Sequence, residues 1–204
     1  MNIKDILKTI IFISVLAFSV LAQDKGKDFL DAVQKKYMSI NNFSADLKNT
    51  YDKTIVVGKV YYAKGNKFKL EFKNSNVFSD GKTIWNYNKS QKKVVIDNVS
   101  NSEPSYFSIT QFLYDYPSKS SISLDKEDNH NILVLIPLKD SNLNFKKAKI
   151  WVKEDSLIER VLVENVSGGS VTLQFSNYKL NQNLPGTMFI FSLPEGTNVI
   201  DLRK

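Results

Sequence analysis

The residues of this chain that could do acid–base or covalent chemistry are few and scattered. Asp80, Asp97, Glu103 and Asp115 are carboxylates near turns, and Ser79 precedes Asp80. None stands at the spacing that a general acid–base pair or an activated nucleophile requires. His130 is the sole histidine. It sits in the polar run Glu127-Asp128-Asn129-His130-Asn131, which reads as an exposed hairpin tip. One histidine excludes a multi-histidine zinc site and leaves a Ser-His-Asp triad without support. Cysteine is absent, which removes thiol catalysis and cysteine metal sites. No glycine-rich phosphate loop is present. These residues predict a protein that is not an enzyme and that holds neither metal nor cofactor.

The remaining chemistry is apolar. Phe68, Leu70, Phe72, Trp85 or its neighbours, Val171, Leu173, Phe175, Phe189 and Phe191 are large side chains, and the expectation is that they share one surface. They form either an ordinary packed core or the wall of an enclosure larger than its cover fills. Barrels of modest strand number hold one apolar ligand in the second way.

The elements that must position these side chains follow from periodicity. Over 24–40, Phe29, Leu30, Val33, Tyr37 and Ile40 recur at intervals of three and four, the stripe of an amphipathic helix. Lys25, Lys27, Lys35 and Lys36 keep much of its other side in water, and Asn41-Asn42 ends it. From Phe43 the period becomes two. Phe43, Ala45 and Leu47 alternate with Ser44, Asp46 and Lys48, and in Lys67-Phe68-Lys69-Leu70-Glu71-Phe72-Lys73 charge flanks every apolar residue. Such strands have one wet and one oily face. Further strands are expected at 84–87, 93–96, 132–136, 146–153, 158–164, 170–178 and 188–193. Turn residues separate them: Gly65-Asn66, Asp80-Gly81, 88–91, Glu154-Asp155, Gly168-Gly169 and Pro185-Gly186. Short turns between successive strands give an antiparallel meander.

One stretch breaks the alternation. In 105–116, Phe107, Ile109, Phe112, Leu113, Tyr114 and Tyr116 make a helix that is apolar on most sides, with Ser105 as cap and Pro117 as stop. A helix this oily must be buried or lie over something oily. The segment 118–123 reads as a polar loop. The predicted architecture is mainly β (α+β): a strongly curved antiparallel sheet of about ten strands, with an N-terminal and a central helix available to cover its oily face.

The first 22 residues are read as a segment outside the fold. Lys4 and Lys8 precede an apolar run over 10–21, which ends at Ala22. The run is shorter than the roughly 20 residues a spanning helix needs, and the pattern is that of a cleaved secretory signal. One domain, 23–204, remains, with no disulfide to staple it, so packing must stabilise it. The formal charge is +7, and setting aside Lys4, Asp5 and Lys8 leaves +6. Arg160 and Arg203 are the sole arginines. Nucleic-acid readers favour the arginine fork, so this lysine-borne charge suits a solvated surface or anionic membranes and acidic partners instead.

Three blocks, in order and after the signal, carry a family resemblance: Gly58-Lys-Val-Tyr-Tyr-Ala-Lys-Gly-Asn-Lys-Phe-Lys-Leu-Glu-Phe72, Ser79-Asp-Gly-Lys-Thr-Ile-Trp-Asn-Tyr-Asn88 and Phe191-Ser-Leu-Pro-Glu-Gly-Thr-Asn-Val-Ile-Asp201. Together they resemble the LolA family of periplasmic outer-membrane lipoprotein carriers. The resemblance implies a half-open barrel with a helical lid, whose interior takes acyl chains. The acyl-chain cavity is then assigned to Leu30, Val33, Tyr37, Phe68, Leu70, Phe72, Trp85, Phe107, Phe112, Leu113 and Phe175. In the family an arginine in the turn before the aromatic position is a lid latch; Lys64 occupies that place here, with Gly65 where proline is usual. Lysine lacks the rigid fork, so the latch is expected to be weaker or differently built. The implied partners are acylated lipoproteins, an inner-membrane ABC-type release complex and an outer-membrane acceptor, LolB or a substitute; the expected location is the periplasm and the expected state a monomer. The task fits the physics, since exposing a 16-carbon chain to water costs on the order of 13 kcal/mol. The alternatives are a lipid-binding envelope sensor, of the kind that shares this fold, or a carrier of another amphiphile such as a glycolipid.

Overall fold

The structure is a computed structural model, and it describes residues 25–99, 109–127 and 129–203. The signal segment, Glu103, Ser105 and Phe107 lie outside the described residues. A helix over 25–39 (α1) comes first. Its stripe folds as the spacing predicts: Leu30, Val33, Tyr37 and Ile40 are buried, and Phe29 packs partly buried beside them. Gly26 permits close contact at its start, because a Cβ there would stand 2.9 Å from the backbone of Ser123.

Twelve strands then form one curved, open sheet. They are β1 (Asn42–Tyr51), β2 (Thr54–Ala63), β3 (Lys67–Phe72), β4 (Ser75–Asp80), β5 (Thr83–Asn88), β6 (Lys93–Asn98), β7 (Ser120–Glu127), β8 (His130–Pro137), β9 (Phe145–Val152), β10 (Ile158–Asn165), β11 (Ser170–Leu180) and β12 (Asn198–Asp201). The order across the sheet is β12-β6-β5-β4-β3-β2-β1-β11-β10-β9-β8-β7. Two meanders therefore meet where β11 returns beside β1, and all pairs are antiparallel except β12 with β6. The concave face carries one core of β1–β5 and β8–β11 residues, closed over by α1 and the central helical segment.

Two local expectations change, and the central helix closes in a particular way. The segment 118–123 is not a loop: after a 3-10 turn at Pro117–Lys119 it begins β7, paired with β8 along its length. Its serines suit a sheet edge, where half the backbone groups face water and an apolar strand would invite aggregation. The strand expected over 188–193 does not form. Pro185 and Pro194 cannot donate to a ladder, and the chain between them makes a 3-10 turn at Gly186–Phe189 that packs on β3 and β4. The last strand forms further on, at β12. The central helix is described from residue 109; it is helical through 115 and closes with a wide turn in which Tyr116 N–H donates to Gln111 O at 2.8 Å. That is a π-type bond, a geometry frequent at functional sites.

Candidate functional site

Register decides which side chains face the concave interior, since residues directly opposite on antiparallel strands share a face. Tyr62, Phe68, Ser79 and Ile84 are successive partners across β2–β5. All four lie on the concave side: Phe68 and Ile84 are core, Tyr62 packs against them and Ser79 is fully buried. Leu70 and Phe72 share that side, and Phe72 lies over Gly58, where a Cβ would meet its ring at 2.5 Å. Trp85 falls on the other face. It is opposite Phe78 and Ile96, and Phe78 stands 5.4 Å, centroid to centroid, from Phe191. Tyr87 is at the same distance from Phe191. The C-terminal segment thus builds a small aromatic cluster on the convex face. Trp85 and Phe191 belong there, outside the concave surface on which the sequence pattern groups them, and buried Phe189 lies outside the concave core too.

The other assigned residues come together. Leu30, Val33, Tyr37, Phe68, Leu70, Phe112, Leu113 and Phe175 are each at most 5% exposed and belong to one cluster. At the α1 end this interior is tightly satisfied. Tyr37 Oη accepts from Ile158 N–H at 3.1 Å, and Tyr178 Oη donates to Ile158 O at 2.8 Å. Burial pushes the Tyr37 phenol up to about 12 and raises that of Tyr178 as well.

Among the described residues, the opposite end is not filled. A cavity of about 510 Å³ opens there, lined by Asn49, Tyr51, Phe112, Phe145, Val163, Val171 and Leu173, with Asn144, Asn165, Val166 and Ser167 completing the wall. Its size lies within the roughly 300–1,000 Å³ typical of small-molecule sites. Phe112 is the one assigned residue among the described ones that lines it; apart from Trp85 on the convex face, the other described ones belong to the concave core or pack against it. Asn49, Tyr51, Phe145 and Val163 carry no motif. The signal for Asn49 and Tyr51 is the β1 alternation Phe43, Ala45, Leu47, Asn49, Tyr51, which continues the inner face past the helix. A second depression, of about 600 Å³, is lined by Phe29, His130, Asp155, Glu159 and neighbours. Its lining mixes polar and apolar surface about equally and carries the charged Lys153, Glu154, Asp155 and Glu159, which does not suit hydrocarbon. His130 stands there with Nε2 3.3 Å from Glu159 Oε2. Among the described residues no group of three or more His, Cys, Asp or Glu is placed to hold a metal ion.

The central helical segment packs over this interior. Phe112 and Leu113 insert from it into the concave face. Gln34 Nε2 donates to Leu113 O at 2.6 Å, which ties it to α1. Thr110 Oγ1 donates to Asn66 Oδ1 at 2.5 Å, which ties it to the β2–β3 turn. Burial raises the Tyr62 phenol, and a hydrogen bond with the same Thr110 pulls it back. Lys64 does not make this tie. Its side chain is exposed, and its backbone N–H donates to Asn41 O at 3.0 Å. Among the described residues its ammonium has no ion pair. Asn66 reaches inward because the turn runs through the left-handed region, with φ +83° at Gly65 and +57° at Asn66. Ser79 braces it, donating to Asn66 O at 2.9 Å and accepting from Gly81 N–H at 3.1 Å. Gly81 lies so close to Gly65 O that a Cβ would stand 2.1 Å from it.

The site is thus an open sheet with helices laid in its concave face and an apolar cavity at one end. Residues 42–192 match the family model described as outer membrane lipoprotein carrier protein LolA. The chain belongs to the LolA family. Relatives of this LolA-family chain include an outer-membrane lipoprotein carrier protein of Francisella tularensis subsp. novicida, 25% identical over 96% of this chain and 97% of that one. An uncharacterized protein of Methanocaldococcus jannaschii is also 25% identical, over 98% of this chain and 61% of its own length. Among solved structures, an uncharacterized conserved protein from Thermus thermophilus shares the fold with TM-score 0.59 and 16% identity, covering 87% of this chain and 99% of that one. MucB in the Pseudomonas aeruginosa MucA/MucB complex shares it with TM-score 0.51 and 12% identity, covering 82% of this chain and 61% of that one.

Proposed function

We propose that this LolA-family protein is a periplasmic carrier that shields the acyl chains of lipoproteins while they cross from the inner to the outer membrane. The observation that supports this most is the unfilled apolar cavity of about 510 Å³ at the end of the half-barrel that α1 leaves open. Phe112 and Phe145 form its inner wall, and the amides of Asn144 and Asn165 and the hydroxyl of Ser167 stand by its apolar surface, where a polar head can pass to water. Each buried methylene is worth about 0.8 kcal/mol, so a pocket of this size offsets a large part of one chain's exposure and still permits release. Further chains would be accommodated by displacing Leu113 and the residues behind it: Leu30, Val33, Tyr37, Phe68, Leu70 and Phe175. The segment that carries Leu113 is held by the Gln34 and Thr110 hydrogen bonds, each replaceable by water once the segment lifts. In this reading Asn66, not Lys64, supplies the tie between the turn and the lid. The function is non-enzymatic, and the energy for loading comes from an inner-membrane ABC-type partner, with an outer-membrane acceptor, LolB or a substitute, receiving the cargo.

The reading is tested by isolating the protein from its native envelope fraction and identifying what co-purifies by mass spectrometry. Acylated lipoproteins recovered in stoichiometric amount support it. Recovery of a free glycolipid instead, or of no lipidated species after cross-linking in cells, refutes it.

A further inference from the structure

The β1–β2 hairpin reaches beyond its neighbour on one side. β3 pairs with β2 only as far as Gly58, opposite Phe72, so Thr54–Val57 has β1 along one edge and, among the described residues, no strand along the other. Every residue from Tyr51 to Val57 is exposed. Tyr51 at 52%, Ile55 at 57%, Val56 at 39% and Val57 at 66% make this an aliphatic and aromatic arm in water. Register divides these side chains between both faces. Tyr51 and Val56 stand with Asn49 on the concave side, and Ile55 and Val57 on the convex side. Val166, also exposed, joins them from the β10–β11 turn, and with Tyr51 it lines the cavity. The outer edges of the sheet are guarded against such exposure: β7 carries serines and charges, and β12 has four residues. The arm has no such guard, and an exposed apolar patch of this kind marks an interaction site. Its surroundings are basic. Lys48 is opposite Val57, Lys53 is in the turn, Lys73 follows the last β3 partner of β2, and Lys146 follows Phe145 of the cavity wall; all are exposed. The hairpin's carboxylates are Asp46, which pairs with Lys59 at 3.9 Å, and Asp52, whose Oδ1 would stand 3.1 Å from a Cβ at Gly169 and so turns back to the β10–β11 turn.

We propose that this arm settles on the surface of an anionic lipid bilayer and brings the cavity to face it. Ile55 and Val57 enter the boundary between headgroups and acyl chains, Tyr51 lies at headgroup level, and the lysines meet lipid phosphates. A protein partner laid against one face of the hairpin would leave the apolar residues of the other face in water, whereas a fluid interface covers both. The backbone sets the depth. A two-residue turn makes Tyr51 and Thr54 the closing hydrogen-bonded pair, so the N–H and C=O groups of Ile55 and Val57 point to the free edge. Such groups cannot be left unpaired in hydrocarbon, but water and phosphate oxygens reach them among the headgroups, so the arm lies along the surface and does not pierce it. The inference goes beyond the carrier reading, because it concerns the empty protein and needs no cargo.

Flotation with extruded vesicles tests this, with the empty protein in one processed form throughout. The native protein binds vesicles of phosphatidylcholine mixed with phosphatidylglycerol at least about tenfold more tightly than vesicles of phosphatidylcholine alone. The double variant Ile55→Ser, Val57→Ser loses about tenfold or more in affinity for the mixed vesicles, since two aliphatic side chains no longer leave water. Lys53→Gln loses about fivefold on the mixed vesicles and nothing on phosphatidylcholine. If the double variant does not fold, Val57→Trp supplies a second readout: its fluorescence is quenched by brominated lipid more than that of the native protein, whose Trp85 on β5 and Trp151 on β9 are outside the arm. No flotation of the native protein with the mixed vesicles overturns the proposal, as does equal flotation of the native and double-serine proteins or quenching of Val57→Trp no greater than native. Binding to cell membranes that is abolished by protease treatment of those membranes, with no binding to their extracted lipids, would assign a protein partner and overturn it as well. None of these outcomes involves an acyl peptide, so each leaves the carrier reading to its own test.

Discussion

Replacing Leu113 with alanine separates a lid that yields to cargo from a helix that is merely core. Leu113 is fully buried on the central helical segment, within the cluster that includes Leu30, Phe68 and Phe175 and close to Phe112 on the cavity wall. Leucine-to-alanine changes at such sites cost about 3–5 kcal/mol when the surroundings collapse only partly. For a domain of about 180 residues a loss of 1 kcal/mol lowers Tm by about 2.5 °C, so the empty variant should melt roughly 7–13 °C below the native protein. Binding should move the other way. If acyl chains enter by lifting Leu113, the native protein gives up the burial of one leucine, roughly 1.5–3 kcal/mol, on every loading event. Alanine removes most of that penalty, so the affinity for an N-palmitoyl peptide should rise by about ten- to a hundredfold. The assay pairs thermal melting of the empty protein with titration of a fluorescent acyl peptide at a temperature where both proteins are folded. A Tm drop below about 2 °C would show that Leu113 is not packed as described. A full Tm drop with unchanged affinity would show that cargo does not displace the segment, and the lid reasoning would fail.

Two further outcomes follow from the rim and the buried tyrosines. Thr110→Val removes the hydroxyl that ties the segment to Asn66 and should speed acyl-peptide release by about threefold or more, one lost part-buried hydrogen bond, while Lys64→Ala, at an exposed side chain, should change stability by less than about 0.5 kcal/mol and release not at all; stopped-flow displacement distinguishes them, and the opposite ranking would return the latch to Lys64. Alkaline titration should unfold the protein cooperatively between pH 10 and 12: Tyr37 is held protonated up to about 12 when folded but ionises near 10 when unfolded, so its contribution, about 3 kcal/mol, is complete below pH 10 and disappears as pH rises through 12. Tyr178 and Tyr116 are shifted the same way by burial and add to the effect. Phenolate absorbance that reaches the full value for all nine tyrosines by about pH 11, without loss of the folded far-ultraviolet spectrum, would show that these hydroxyls are open to water.

What the chain declares locally is its periodicity. The three-and-four spacing from Phe29 to Ile40 specifies a helix with one apolar stripe, because only that face can be buried, and the stripe is buried. The alternation from Phe43 onward specifies strands with one oily face, and the Gly65-Asn66, Asp80-Gly81 and Gly168-Gly169 turns occur where the residues tolerate positive φ, as five of these six do here. The absence of cysteine and the single histidine exclude whole classes of chemistry without reference to a fold. Alternation does not say which face is which. Trp85 and Phe191 read like Phe68 and Leu70, yet the register of β4 on β5 and the path between Pro185 and Pro194 put them on the convex side. A one-residue difference in phase reverses a side chain, and phase is set by partners distant in sequence. The edge strand β7 and the parallel β12 were hidden for a related reason, since edges are polar by necessity and the partner of β12 lies about a hundred residues away. The cavity itself is a property of tertiary packing alone. Among the described residues, α1 and the central segment cover one end of the concave face and Phe112 borders the cavity, so the inner face of β1 runs on past this cover to Asn49 and Tyr51. No local pattern records where a cover ends.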